Sequence, residues 1–177
     1  MQMPEQLETE RLILRKPHLD DARPIFEGWA QDPEVTRYLT WRPHQRIEET
    51  QAFVQSCLLA WEHKTRFPFM ITLKENDQLV GMIDSRIDGP KLSIGYVAGR
   101  THWGKGYVPE ATRAIINWAF QQPSIYRVYA TTDVDNTASR RMLEKVGMHC
   151  EGILRKYILH PNISDIPRDS YIYAIIK

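Results

Sequence analysis

The chain reads as an α/β domain built on a mixed, mostly antiparallel twisted sheet with one parallel pair of strands at its centre. Three observations predict this. Residues 67–98 hold three strand-like apolar runs separated by short polar turns, the pattern of an antiparallel meander. Residues 92–130 pass from strand periodicity to helix periodicity and back, so the two strands flanking the helix run parallel. The stretch from Ser93 to Phe120 joins strand to helix through a polar, glycine-bearing loop, an arrangement that presents backbone N–H groups to an anion.

Taken in order, residues 1–10 read as a frayed lead-in, and the single domain spans 9–177. Arg11-Leu12-Ile13-Leu14-Arg15 alternates as a first strand. Asp20 or Asp21 can cap a helix to about residue 31, with Ile25, Phe26 and Trp29 on its apolar side, and Pro33 starts a short second helix through Tyr38. Residues 39–46 are an irregular loop rich in Trp, Arg and His. A long helix then covers 47–63, with Phe53, Cys57, Leu58 and Trp61 on one stripe. Strands follow at 67–73, 79–87 and 92–98, then the central helix, with Ala111, Ala114, Ile115, Trp118 and Ala119 on one face. Pro109 and Glu110 suit its first turn. A strand at 126–130, a second crossover helix at 136–146 stopped by Gly147, a strand at 148–159, a polar loop at 160–168 and a last strand at 171–176 complete the order β-α-α-β-β-β-α-β-α-β-β.

With 177 residues the chain can bury roughly 70% of its unfolded surface, enough for a real core. The formal net charge of +1, with acids and bases interleaved, argues against general affinity for nucleic acid or membranes. No apolar run is long enough to span a bilayer, and the polar, acidic N-terminus is unlike a signal peptide. Cys57 and Cys150 lack metal-ligand spacing and read as two buried, reduced thiols of a cytoplasmic protein, with no metal expected.

The run Trp103-Gly104-Lys105-Gly106-Tyr107-Val108, followed by Glu110-Ala111, resembles the coenzyme A pyrophosphate loop of the GNAT N-acetyltransferases. Trp103 stands where that family has Gln or Arg, Val108 where it has Gly or Ala, and Gly106 matches. With Gly95-Tyr96 ahead of it, and with Thr-Glu-Arg-Leu-Ile-Leu-Arg and Asp-Pro-Glu-Val-Thr-Arg-Tyr-Leu near the N-terminus, the chain is similar to the Rim-type branch, which acetylates protein N-termini and assorted small amines. The resemblance implies a GNAT-like fold whose parallel pair splays around the cofactor. It also implies transfer of an acetyl group from acetyl-CoA to a primary amine by direct attack in a ternary complex.

Amide formation from a thioester needs a held cofactor, a stabilised oxyanion, a neutral amine and a protonated leaving thiol. Backbone amides at 104–108 would hold the pyrophosphate, with Lys105 or Arg100 adding charge. The resemblance puts the oxyanion N–H near Val97 and Ala98, makes Asn136 a cofactor contact and offers Ser139, one turn on, as the proton donor to the thiol. Many family members carry a tyrosine at the position of Leu143. Asn136 also suits a helix N-cap, and Ser139 an ordinary surface hydroxyl. For the base, Asp84 in mid-strand and Asp169 before the last strand are options, as are His44 and His102. The acceptor is a peptide N-terminus or a small amino compound, met by the loops at 39–46 and 160–168; the oligomeric state is left open. Two other readings stand beside the enzyme: a non-catalytic CoA-binding module of the same fold, and an interaction protein using the Trp- and Arg-rich loop at 39–46.

Overall fold

The computed structural model describes residues 2–177. Its strands are β1 (Gln6–Glu8), β2 (Leu12–Arg15), β3 (Phe67–Leu73), β4 (Leu79–Asp88), β5 (Lys91–Ala98), β6 (Arg127–Asp133), β7 (His149–Ile158) and β8 (Arg168–Ile176). They form one eight-stranded sheet in the order β1-β2-β3-β4-β5-β6-β8-β7. Every neighbouring pair is antiparallel except β5 and β6, which the crossover helix makes parallel as the sequence predicts. The lead-in is not frayed throughout: Gln6 to Glu8 pair with Arg15 to Ile13 and add an edge strand.

The helices are α1 (Ala22–Ile25), α2 (Pro33–Thr36), α3 (Ile47–Glu62), α4 (Tyr107–Gln121) and α5 (Thr137–Lys145). The expected helix at 20–31 is irregular: a 3-10 turn over Leu19–Asp21 leads into α1, which widens into a π-helical stretch over Phe26–Ala30. Asp21 does not cap that helix with its side chain. Its carboxylate instead takes two hydrogen bonds from Arg15 at 2.9 and 2.7 Å and one from the His18 N–H. Asp32 caps α2, accepting the Glu34 N–H at 2.9 Å, with Pro33 at the position where a missing N–H costs nothing.

Two cores sandwich the middle of the sheet. On one side Ile83, Leu92 and Ile94 pack with Ile115 and Ala119 of α4 and Leu143 of α5. On the other, Met70 and Val97 pack with Ala22, Ile25 and Trp29 from the α1 region and Val54 of α3. Side chains alternate across a strand, so β5 sends Tyr96 toward α4 and α5, and Val97 toward α1 and α3. Among the described residues no helix is long and apolar enough to cross a membrane.

Candidate active site

The parallel pair separates soon after it forms. β5 and β6 register only at Lys91–Arg127, Leu92–Val128 and Ser93–Tyr129, yet β5 continues to Ala98 and β6 to Asp133. A cleft of about 960 Å³ opens where they part. Val97, Ala98, Trp103, Gly104, Gly106, Tyr107, Val108, Asn136 and Ser139 all line it, and so does Asp84. Residues far apart in sequence are thus brought to one opening by a local failure of strand pairing.

That failure leaves backbone donors unpaired. The Gly99 N–H bonds the Val80 carbonyl of the β4 side at 3.0 Å. By alternation the N–H groups at 97 and 95 also face β4, while those at 98, 96 and 94 face the gap toward β6. Of the two positions expected to supply an oxyanion donor, Ala98 aims its N–H into the cleft and Val97 does not. The Ala98 carbonyl is taken by the Trp103 indole N–H at 2.8 Å, so the indole ties the strand end to the loop.

The loop owes its shape to Gly104 and Gly106, which sit at φ +75° and +80°, left-handed values that favour glycine. Gly106 is the N-cap of α4, so the N–H groups of Tyr107 and Val108 have no partner within the helix and face the cleft mouth. Glu110 in the first turn does more than meet the helix dipole. It accepts hydrogen bonds from the Thr9 hydroxyl (2.5 Å), the Arg11 N–H (3.0 Å) and Arg11 Nε (2.7 Å). Arg11 also donates to the Lys105 carbonyl at 3.1 Å and lies over the Tyr107 ring. The glycine loop is therefore clamped to the start of β2.

On the α5 side, Asn136 Oδ1 accepts the Ser139 N–H at 3.1 Å, which is a helix N-cap. The Ser139 hydroxyl is 2.7 Å from the Tyr96 phenol, whose pKa burial pushes above its usual range despite that hydrogen bond. Two neutral hydroxyls thus form a chain at the cleft wall. On the opposite face, Asp84 receives Arg66 Nη1 at 2.8 Å on one oxygen, and its other oxygen is buried without a partner among the described residues. Trp41 and Phe53 line that half of the cleft.

Residues 11–149 match the family model described as an acetyltransferase (GNAT) domain. The chain belongs to the GNAT acetyltransferase family. The N-acetyltransferase p20 of Bacillus licheniformis is 36% identical over 98% of this chain and 97% of its own. The ribosomal-protein-serine acetyltransferase of Escherichia coli is 28% identical over 95% and 94%. A solved GNAT acetyltransferase from Bacillus anthracis superposes with a TM-score of 0.84 at 31% identity, covering 97% of this chain and 98% of that one. The protein is an acetyl-CoA-dependent N-acetyltransferase.

Four expected site residues of this GNAT enzyme do not line the cleft: Arg100, Lys105, Asp169 and His44. Arg100 is exposed and donates Nε and Nη2 to Asp32 at 2.9 and 2.6 Å. Lys105 is exposed, and its carbonyl rather than its ammonium enters the loop scaffold. Asp169 accepts Arg155 Nη1 and the Lys156 N–H, both at 2.9 Å, a brace between β7 and β8. His44 has Nδ1 2.8 Å from the Thr50 hydroxyl, and burial lowers its pKa. His102 lines the cleft beside the loop, its pKa lowered by burial and by Lys105. Sequence reasoning passed over Tyr96, Arg66 and Arg11. The pairing of Tyr96 with Ser139 needs the third dimension, but Thr9 and Arg11 stood within the N-terminal run that carried the family likeness.

Proposed function

We propose that this enzyme acetylates the α-amino group of a peptide or a small amino compound by direct attack on the thioester, with both substrates bound, and that residues 9–177 are the catalytic unit. The observation that carries the reading is the hydroxyl pair Ser139–Tyr96 on the wall of the cleft where β5 and β6 part.

The chain's own groups fit acetyl-CoA, which supplies the activated acyl carbon. The left-handed glycines and free amides of the loop at 104–108 suit a pyrophosphate, and Asn136 lies at the cleft next to them. The Ala98 N–H is oriented to meet negative charge growing on the carbonyl oxygen, a donor that costs no reorganisation. A coenzyme thiol is a modest leaving group, with a free pKa of about 8.5, and leaves faster when a proton is at hand. Ser139 donates that proton and is resupplied through Tyr96. No cysteine lines the cleft among the described residues, and burial pushes the Cys57 thiol up to about 11, which favours direct attack over an acyl-cysteine.

An α-amino acceptor suits the site chemically. At pH 7.5 roughly a quarter to two-fifths of such a group is already neutral, against about a thousandth of a lysine amine. The near-neutral chain carries no acidic run to capture a polyamine. The E. coli relative is described as acting on a serine of a ribosomal protein, which agrees with a protein N-terminus. Cys57 is buried as expected but Cys150 is exposed, and both thiols are free, which suits a reducing cytoplasm. The test is thiol release from acetyl-CoA over a panel of amines: turnover with free N-termini supports the reading, and its absence with every amine refutes it.

A further inference from the structure

The loop between β7 and β8 carries a histidine that the site described above does not use. His160 is 5% exposed, lines the cleft, and neither ring nitrogen has a hydrogen-bond partner among the described residues. Leaving a polar atom buried and unpaired carries its full desolvation cost, so an imidazole with two such atoms is a poor way to fill space. It is also not filling an apolar pocket. Its Nε2 lies 3.8 Å from Asp133 Oδ2, and the Asp133 side chain is fully buried. Ser170, opposite Asp133 in the β6–β8 register, is fully buried with an unpaired hydroxyl and lines the same cleft.

His160 faces the Asp133 carboxylate, which is part of a cluster of charged groups. Arg168 donates to Asp133 at 2.6 and 3.0 Å and to Asp135 at 2.5 Å, so one guanidinium spans two carboxylates. Asp133 stays ionised: burial opposes its charge, but the hydrogen bonds from Arg168 and from the Asp135 N–H outweigh it and hold the carboxyl below its usual range. The other neighbour is Tyr38, whose ring meets the imidazole edge-on at 6.5 Å and carries the Arg37 guanidinium over it at 5.5 Å. Tyr38 follows α2, whose Val35 packs on the face of the sheet opposite the α4–α5 core, so His160 stands across the sheet from Ser139.

We propose that His160 is the proton acceptor for the incoming amine, and that Asp133 and Ser170 complete a site for its ammonium form. The inference rests on the transfer reading given above. The amine arrives as R–NH₃⁺ and gives one proton to the neutral imidazole. The nitrogen lone pair then forms the C–N bond and the C–S bond breaks. A second proton leaves the nitrogen and ends on the coenzyme sulfur by way of Tyr96 and Ser139, and the third remains as the amide N–H. The imidazolium returns its proton to solvent, so the net reaction releases one proton.

The experiment is the pH dependence of kcat/KM for three acceptors of different amine pKa, in the wild type and in His160→Gln. With His160 as acceptor, the acid limb in the wild type holds its position as the acceptor changes, because one enzyme group takes the proton from every amine. His160→Gln should lose that limb and fall about 100-fold or more at neutral pH, recovering where the amine is already neutral, with acetyl-CoA affinity within twofold. An acid limb that follows each acceptor's own pKa, or a variant within threefold of wild type with an unchanged profile, overturns the assignment. Should the variant not fold, the wild-type limb alone decides. Lack of thiol release with every acceptor would overturn the transfer reading as well, an outcome distinct from turnover with a moving limb.

Discussion

Replacing Gly106 by valine perturbs the cofactor loop at the point where its backbone is most constrained. Gly106 has φ +80°, and a Cβ there would lie 3.5 Å from Arg11 Nη2, an ordinary contact. Space is therefore not the difficulty; the left-handed backbone is. It costs an L-residue about 1–2 kcal/mol, and a β-branched one more. The chain relieves that strain by turning φ negative, which swings the N–H groups of Tyr107 and Val108 away from the cleft mouth. At a concentration 100 times its Kd, acetyl-CoA stabilises the wild type by about 2.7 kcal/mol, and in a chain of this length that raises Tm by about 5–11 °C. If the variant loses 100-fold in affinity, the same concentration gives only about 0.4 kcal/mol, or about 1–2 °C. Thermal unfolding with and without acetyl-CoA reads this directly. Gly89, at φ +57° with nothing within 4 Å of its Cβ position, is the control. It lies in the turn between β4 and β5, outside the cleft lining, so Gly89→Val should lower the baseline Tm and keep the full shift. An unchanged acetyl-CoA Kd in Gly106→Val would refute the pyrophosphate assignment.

Ser139→Ala should lower kcat by 10-fold or more with acetyl-CoA affinity within twofold, since a proton donor acts mainly in the transition state; kcat within twofold of wild type would leave Ser139 a helix residue. Glu110→Gln should lower Tm at neutral pH, by about 1–2 kcal/mol of stability once the solvent exposure of Arg11 is discounted, and weaken acetyl-CoA binding through the loop. The wild type also has a pH signature here. Burial raises the Glu110 pKa, but hydrogen bonds from Thr9 and Arg11 outweigh it and hold the carboxyl low. Its contribution is therefore complete above the ordinary glutamate pKa of about 4.3 and is lost as pH falls through the depressed value. Acid unfolding monitored by circular dichroism should show a shallower dependence below about pH 4 in Glu110→Gln. Asp169→Asn should keep kcat within threefold, since its carboxylate braces Arg155 and the Lys156 N–H on the surface; a 100-fold loss would return Asp169 to the reaction.

The fold was legible because its signals are local. Alternation marked β3, β4 and β5, the apolar stripe marked α4, and a helical crossover made β5 and β6 parallel. The misses lay where tertiary partners override local preference. The lead-in is too short and polar to announce β1, whose pairing with β2 defines it. The helix expected at 20–31 divides into 3-10, α and π segments, with the Asp21 carboxylate turned back to Arg15 and the His18 N–H at its start. At the site, the glycine loop and Asn136 were readable because backbone conformation and helix capping leave marks in sequence. Tyr96–Ser139, Thr9–Glu110 and His160–Asp133 were not, since each joins residues 27 or more positions apart, and neither partner is unusual alone.

The most direct test of the account is a competition assay with acetyl-CoA. Short peptides with free N-termini and lysine-free sequences are mixed with N-blocked, lysine-containing ones, and mass spectrometry locates the added acetyl group. The account predicts acetylation at the free α-amino group well ahead of any lysine, dependent on Ser139. Preferential acetylation of internal lysines or of an added polyamine such as spermidine would contradict it.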